Sequence, residues 1–435
     1  MAASTNRPLC KRPKPPTSKR RFQRDCFMKC RHCHTELEHV FLDLGYAPPS
    51  NAYLSKEALR APETTFPLKL YVCDHCWLVQ TEDYTEADEL FSGDYAYFSS
   101  TSQSWLQHAA RYVEEITKRL GLSKVSFVIE VASNDGYLLK NFVAAGIPCL
   151  GVEPTDSTAD ASEKIGVPVL REFFGVATAT ALADGGKRAD LICGNNVYAH
   201  VPDINDFTQG LRIALKEGGT INLEFPHLMR LIEQNQFDTV YHEHFSYLSL
   251  TSVSRIFAQA GLRVFDVEEL PTHGGSLRIY GCHNSDPMAT KPVVLAMLER
   301  EKTFGLQDMS VYQGFQQKAD KVKNDFLAFL IEQKRAGKSV AAYGAAAKGN
   351  TLMNYAGIKH DLIDFICDAA PSKQGKFMPG SHIPILPPTE LAKRKPDLVI
   401  ILPWNIADEV IQQQQQVLSW GGKFVIAVPE LKVLA

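Results

Sequence analysis

Ser126-Phe127-Val128-Ile129-Glu130-Val131-Ala132-Ser133-Asn134-Asp135-Gly136 is a run of apolar β-formers that closes on an acid, a small-residue turn and Asn-Asp-Gly. A helix-like run, Tyr137 to Ala145, follows it, so the segment predicts strand, tight turn, helix. In an open α/β sheet, ligands bind beyond the carboxyl ends of the strands, where turn backbone and helix N-termini point donors outward. The next strand-like run, Pro148 to Val152, ends in Glu153. A carboxylate there can accept both hydroxyls of a ribose, which points to an adenosine-type cofactor.

The phosphate fingerprint is missing. G-x-G-x-x-G needs three glycines, whereas this turn has one, and Asp135 stands where a phosphate would be repelled. S-adenosylmethionine (SAM) carries a sulfonium cation and an amino-acid tail instead, and acidic Glu130 and Asp135 suit it. A dinucleotide and a plain structural turn are the alternatives. Glu130, Ser133, Asn134, Asp135, Gly136 and Glu153 are therefore the candidate cofactor residues.

Strand and helix alternate onward, as a doubly wound fold requires. Ala189 to Cys193 is a buried strand followed by Gly194-Asn195-Asn196, and Thr220 to Glu224 is a fifth strand after Gly218-Gly219. In a SAM-binding fold the fourth strand end faces methyl donor and substrate. Asn195 and Asn196 then join the cofactor residues, and His200 is placed for function or for a structural hydrogen bond.

Residues 237–247 crowd Tyr241, His242, Glu243, His244 and Tyr247 together. A zinc protease would need H-E-x-x-H to set both histidines on one helical face, and His242-Glu243-His244 has the wrong spacing. So many titratable groups are costly to bury unpaired, which favours acid–base chemistry over a hydrogen-bond network or a metal. Further on, Thr272-His273-Gly274-Gly275-Ser276-Leu277-Arg278 predicts an exposed-backbone turn beside a cation, suited to an anion or a sugar.

Of ten cysteines, four form Cys30-x-x-Cys33 and Cys73-x-x-Cys76. Two such knuckles supply the closed tetrahedral sulfur shell of structural Zn²⁺, which leaves no open position for catalysis. A redox pair is disfavoured, because no thioredoxin-like βαβ surrounds either motif. Asp94 to Ser102 is an aromatic and hydroxyl cluster ahead of a helix over Trp105 to Leu120. Its Tyr95 either packs between domains or reaches a ligand.

At 435 residues and 45% hydrophobic content, the chain can bury two or three cores. Residues 1–25 carry eight Lys/Arg and one Asp, leaving about −10 for the rest of a chain of net charge −3. That Pro-rich tail is expected to be disordered, a solvated extension rather than a nucleic-acid arm. No run of 18 apolar residues and no secretory core occurs, which makes the cytoplasm the expected location and membrane partners unexpected.

The C-terminal third predicts a long helical stretch (Val293 to Lys334), a strand (Ser339 to Tyr343), then Gly344-Ala345-Ala346-Ala347-Lys348-Gly349-Asn350 and a helix. Lys348 precedes the glycine it should follow in a phosphate loop, which argues against NTP hydrolysis. The turn could still hold the diphosphate of a sugar nucleotide, or be an ordinary strand–helix turn. Strands near Leu362 to Cys367, Leu398 to Leu402 and Lys423 to Val428 complete a second sheet, and Gln412 to Gln416 forms a polar helix face.

These pieces, in this order across residues 26–430, resemble the SAM-dependent sugar C-methyltransferases that act on nucleotide-linked keto-deoxysugars. The paired C-x-x-C, the Tyr95–Ser102 cluster, Glu130–Gly136, Asn196–Asp203, Tyr241–Tyr247, His273–Arg278 and Tyr343–Asn354 carry the likeness; the basic tail has no counterpart. The resemblance implies an α/β protein with a disordered tail (1–25), a small β-rich zinc module (26–90), a class I SAM methyltransferase domain (91–285) and a Rossmann-like domain (286–435). It implies methyl transfer to a ring carbon, C-3 by analogy, through an enolate. Tyr241 and His244 are both candidates for the base, with His244 favoured because histidine is unprotonated near neutrality without a large shift. Glu243 would orient or polarise its neighbours, and His200 and Tyr95 would position the sugar or steady the enolate oxygen. His273, Gly274, Gly275, Ser276, Arg278, Lys348 and Asn350 are the candidate substrate contacts. The rivals are a nucleic-acid methyltransferase, disfavoured by the acidic folded part and the absent N/D-P-P-Y signature, and a non-catalytic zinc scaffold on a SAM fold.

Overall fold

The computed structural model describes residues 28–82 and 98–434. The basic tail and Tyr95 lie outside the described residues.

Seven strands form the central sheet, in the order Leu262–Leu270, Ser276–His283, Leu215–Pro226, Ala189–Asn195, Val128–Val131, Cys149–Val152, Val169–Leu170. Neighbours from Leu215–Pro226 to Val169–Leu170 run parallel, whereas Ser276–His283 is antiparallel to both of its neighbours. Every residue of Val128–Val131 is buried, as in a strand covered on both faces, which is why its sequence is apolar except for Glu130, the acid near its carboxyl end. The predicted helix ahead of it is Gln103–Leu120, one turn-start earlier than its periodicity showed. Ser102 caps it by accepting from the Trp105 N–H, and Gly121 ends it in the left-handed region (φ 63°).

An antiparallel sheet of His39–Ala47, Phe66–Val72 and Val79–Thr81 is completed by Ser246–Tyr247. That fourth strand belongs to the histidine-rich segment, a pairing no local pattern announced. A third sheet runs Ile385–Leu386, Ile366–Cys367, Val340–Tyr343, Leu398–Ile401, Lys423–Ile426, Lys432–Leu434, parallel except for its last pair. Its outer strands, Ile385–Leu386 and Lys432–Leu434, are two and three residues long and escaped the sequence reading.

Two expectations change here. The stretch Val293 to Lys334 is three helices, Pro292–Phe304, Met309–Tyr312 and Phe315–Arg335, because Gly305 (φ 102°) and Gly314 (φ 82°) take left-handed backbone that ends or caps a helix. Gln412 to Gln416 straddles a break between Ala407–Gln413 and Gln416–Ser419, and Gln414 is buried with its amide donating to the Tyr343 hydroxyl. None of the described helices is long and apolar enough to cross a membrane.

The small N-terminal sheet is wedged between the two larger ones. Phe41 stacks on Phe315 at 4.8 Å and meets Tyr312 edge-on at 5.5 Å, within a core that also takes in Leu70, Phe326 and Ile400. On its other side Cys30, Cys73, Cys76 and Leu78 share a core with Ile129, Phe225 and Leu277 of the central sheet. The carboxyl ends of the central strands thereby face residues from all three sheets.

Candidate active site

At the end of Val128–Val131 the backbone turns through positive φ at Ala132 (54°), Asn134 (50°) and Gly136 (76°). A Cβ on Gly136 would lie 2.6 Å from Ser162 Oγ, so only glycine fits. Glu153 is the brace of this turn: Oε2 accepts from the Asn134 N–H (2.9 Å), while Oε1 accepts from the Thr155 N–H (3.0 Å) and the Thr155 hydroxyl. A carboxylate offers about four lone-pair positions, so one remains open on Oε2 for a ribose hydroxyl rather than the pair the sequence led us to expect. The Ser99 N–H donates to Asn134 Oδ1 (2.9 Å) and the Ser100 N–H to Asp135 Oδ2 (3.0 Å), which ties these two serines to the turn.

Several buried polar atoms at these strand ends have no hydrogen-bond partner among the described residues: both Glu130 oxygens, Ser133 Oγ, Asp135 Oδ1, Asn195 Oδ1 and Asn196 Oδ1. Burial, with Glu153 and Asp135 adding repulsion, drives the Glu130 carboxyl well above its ordinary value, and the nearby Tyr137 hydroxyl offsets part of this. Orphaned buried acids are expensive unless something cationic and donor-rich completes them. The sulfonium and α-ammonium of SAM are such groups, and the donor set fits them.

A second cluster gathers the histidines of two loops. His200 ends the short helix Tyr198–His200, and its ring meets His244 edge-on at 4.6 Å. Tyr241 lies against His244 with ring centres 4.0 Å apart, and Tyr247 is 5.9 Å away. His244 Nδ1 is 3.1 Å from the Thr239 carbonyl. A carbonyl only accepts, so Nδ1 carries the hydrogen and Nε2 keeps its lone pair. Burial first, and His200 second, push His244 well below the ordinary histidine value; burial alone brings His200 down to about 4. Glu243 departs from expectation: its Oε1 accepts from Asn51 Nδ2 (2.7 Å), which ties it to the N-terminal module. His242 turns toward the Phe66 and Pro67 carbonyls, a structural contact.

The Thr272–Arg278 segment is not the open anion turn its glycines predicted. Gly274 O accepts from Gln236 Nε2 (2.7 Å), Gly275 O from the His227 N–H (3.0 Å), and the Ser276 hydroxyl donates to the Thr272 carbonyl (3.0 Å). Side chains at Gly274 or Gly275 would strike Trp404 or Arg230. Arg278 is buried against Glu224 (2.8 Å) and over the Tyr112 ring (4.6 Å), so its charge is already neutralised inside the sheet. His273 does face inward: Asn196 Nδ2 donates to its Nε2 (2.9 Å), and burial, with Lys348 adding, lowers it to about 4.

From the third sheet comes Lys348, whose ammonium donates to Asn405 Oδ1 (2.7 Å) and lies 4.9 Å over the Trp404 ring. Trp404 Nε1 in turn donates to Asp238 Oδ2 (2.8 Å), and burial raises this carboxyl to about 6. Asn350 has no such exposure: its amide donates to the Ser50 carbonyl (3.1 Å) and its oxygen accepts from Asn354, an inter-sheet clasp rather than a ligand contact. The sequence reading also missed Glu224, where burial would raise the carboxyl but hydrogen bonds from His108 and Thr272 and the Arg278 charge hold it at about 2. Its signal was available, because Glu224 lies by the carboxyl end of its strand as Glu130 and Glu153 lie by the ends of theirs.

Cys30, Cys33, Cys73 and Cys76 place all four sulfurs within 4.8 Å of one another, with Cys30–Cys76 and Cys33–Cys73 at 3.5 Å. Tetrahedral Zn–S bonds of about 2.3 Å separate sulfurs by about 3.8 Å, so the nest fits zinc. The two knuckles repeat one geometry. His34 and Trp77, each four residues past the first cysteine, take positive φ (61° and 63°) and donate back to the Cys30 and Cys73 carbonyls at 2.9 Å.

A parallel sheet with its last strand inserted antiparallel beside the fifth, opening on buried acids instead of a phosphate loop, is the class I fold of SAM-dependent methyltransferases. Three family descriptions match in succession: "Putative zinc binding domain" over residues 30–91, "Methyltransferase domain" over 105–267 and "C-methyltransferase C-terminal domain" over 271–429. The C-methyltransferase NovU of Streptomyces niveus is 34% identical over 407 residues, covering 94% of this chain and 97% of that protein. The chain belongs to the C-methyltransferase family: it binds zinc and transfers a methyl group from SAM to carbon. Among solved structures, a SAM-dependent methyltransferase from Clostridium acetobutylicum aligns at 11% identity (41% of this chain, 92% of that one, TM-score 0.34). One from Anabaena variabilis aligns at 15% identity (40% and 84%, TM-score 0.34).

Proposed function

We propose that this C-methyltransferase acts on a ring carbon, C-3 by resemblance, of a nucleotide-linked 4-keto-deoxysugar, with His244 as the base. The observation that carries the reading is the His244 ring itself: buried, neutral, with Nδ1–H fixed on the Thr239 carbonyl and Nε2 available. Methylation at carbon requires a carbanion equivalent, and a neighbouring ketone provides one as an enolate. Nε2 takes the proton α to the ketone, and the C–H electron pair becomes the enolate. SAM supplies the electrophilic methyl when bound. That methyl would pass to the enolate carbon, its bond to sulfur giving way as the bond to carbon forms, while His244 Nε2 holds the abstracted proton until solvent removes it. His200 and Tyr241, packed on that ring, hold it in line and border the enolate oxygen. Lys348 supplies a cation from the opposite sheet for the diphosphate. Residues 26–90, 91–285 and 286–435 divide this work as zinc module, SAM domain and substrate-facing domain. The test is exchange of the substrate's α-proton in deuterated water without SAM: keto-sugar nucleotides should exchange, and failure of all of them to do so would remove this reading.

Two further results are expected. Protonating His244 is opposed by burial, so the acid limb of kcat/KM should lie below the ordinary histidine value of 6.5. The same depressed value means stability is held above pH ~6.5 and falls below it, as the unfolded chain binds a proton the folded site refuses. An acid limb at or above 6.5 would point away from His244. For the cofactor, Glu130→Gln should weaken SAM by about 1.5–3 kcal/mol, the loss of one charge-assisted contact. Glu153→Ala should also weaken it, by releasing the Asn134 and Thr155 N–H groups from their brace. Unchanged affinity by calorimetry in both would mean the acids serve the fold alone.

A further inference from the structure

The zinc knuckle touches both histidine loops through one side chain. Arg31 lies between the two thiols of the first knuckle. Its Nη1 donates to the Pro202 carbonyl (2.7 Å), two residues past His200. Nη2 donates to the Thr81 carbonyl (2.9 Å), and the guanidinium lies 5.4 Å over the Phe245 ring, next to His244. Thr81 is itself bound to the second loop: its N–H donates to the Phe245 carbonyl (3.1 Å) and its hydroxyl to the His244 carbonyl (3.4 Å). Neighbouring Gln80 is fully buried, pairs with Ser246 across the sheet, accepts from the Arg31 N–H (2.8 Å) and donates to Cys30 Sγ (3.2 Å). An unbroken chain of contacts thus runs from a zinc thiolate to the loops whose rings meet at 4.6 Å.

We propose that Arg31, held by the zinc knuckle and Gln80, is a positioning residue that fixes the spacing of His200 and His244. It rests on the assignment of His244 as base given above. The guanidinium is planar and forked, so its two N–H directions are set relative to each other, and two carbonyls bound to it cannot drift independently. Misplacing a base by about 1 Å costs roughly 100-fold, so the bracket matters even though Arg31 touches no reacting atom. Nothing in the chain of contacts reaches Glu130, Asn134 or Asp135, so cofactor binding should not depend on it.

The experiment compares Arg31→Ala, Arg31→Lys and Gln80→Ala in the full chain. Arg31→Ala is expected to keep one zinc per chain and its SAM affinity within about 2-fold, while α-proton exchange and kcat fall by about 30–100-fold and KM changes little. Millimolar guanidinium should restore part of the exchange in Arg31→Ala, and Arg31→Lys, with a charge but no fork, should recover less. Gln80→Ala should release zinc faster to a chromogenic chelator, because a hydrogen bond to a ligand sulfur is lost. Exchange at the wild-type rate in Arg31→Ala would overturn the proposal, as would loss of zinc or a parallel loss of SAM affinity, either of which marks a residue needed only for folding. Histidine ring signals in ¹³C-labelled protein, assigned with His200→Asn and His244→Asn, read the bracket without turnover. Those two should shift in Arg31→Ala; if they stay put, the bracket is wrong whether or not the wild-type chain exchanges a proton.

Discussion

His244→Asn is expected to remove α-proton exchange and methyl transfer together, by about 100- to 10,000-fold, the usual worth of a positioned base. The asparagine amide can still donate to the Thr239 carbonyl as Nδ1 does, so the loop should keep its shape and SAM should bind as before. What disappears is the lone pair on Nε2. Tyr241→Phe is the informative companion, since its ring lies 4.0 Å from His244 and the phenol would need strong anion stabilisation to serve as base. It should keep exchange within about tenfold of wild type, the size of a lost neutral hydrogen bond. The reverse result, normal exchange in His244→Asn and none in Tyr241→Phe, would transfer the role to Tyr241.

Removing the metal should have the second-largest effect, and on the fold rather than on chemistry alone. Structural zinc sites contribute on the order of 10 kcal/mol of binding free energy, which is folding free energy for the module that holds them. Here that module lends Val79–Thr81 to the Ser246–Tyr247 strand, and its cysteines pack in one core with Ile129 and Phe225. Cys33→Ser should therefore lower zinc below one per chain and bring the melting transition down, with the N-terminal sheet opening first. Chelator added to the wild type should do the same. Elemental analysis finding no zinc in unchelated protein, with melting indifferent to chelator, would leave the four thiols as packing only.

Local sequence carried the elements whose physics is local. A strand buried on both faces is apolar on both, so Val128–Val131 declared itself with Glu130 as its one polar residue, and the acid-rich turn excluded phosphate by charge. Two C-x-x-C knuckles each encode their own turn, so the zinc nest was legible from spacing. Where several residues share a site the sequence was less decisive. It crowded Tyr241 to His244 together but could not say that His244 faces His200 while Glu243 faces Asn51. In an extended or irregular loop, neighbours point to opposite sides, and only packing selects the side. Glycines at 274 and 275 announced a turn, yet whether its backbone met solvent or Trp404 and Arg230 depended on elements distant in the chain. Arg278 looked like a free cation for the same reason, because its partner Glu224 sits 54 residues away on the neighbouring strand. The sequence by itself determined the fold class, the cofactor's charge and the metal. Tertiary structure alone decided which titratable groups meet, because burial and cross-sheet contact set both their direction and their protonation.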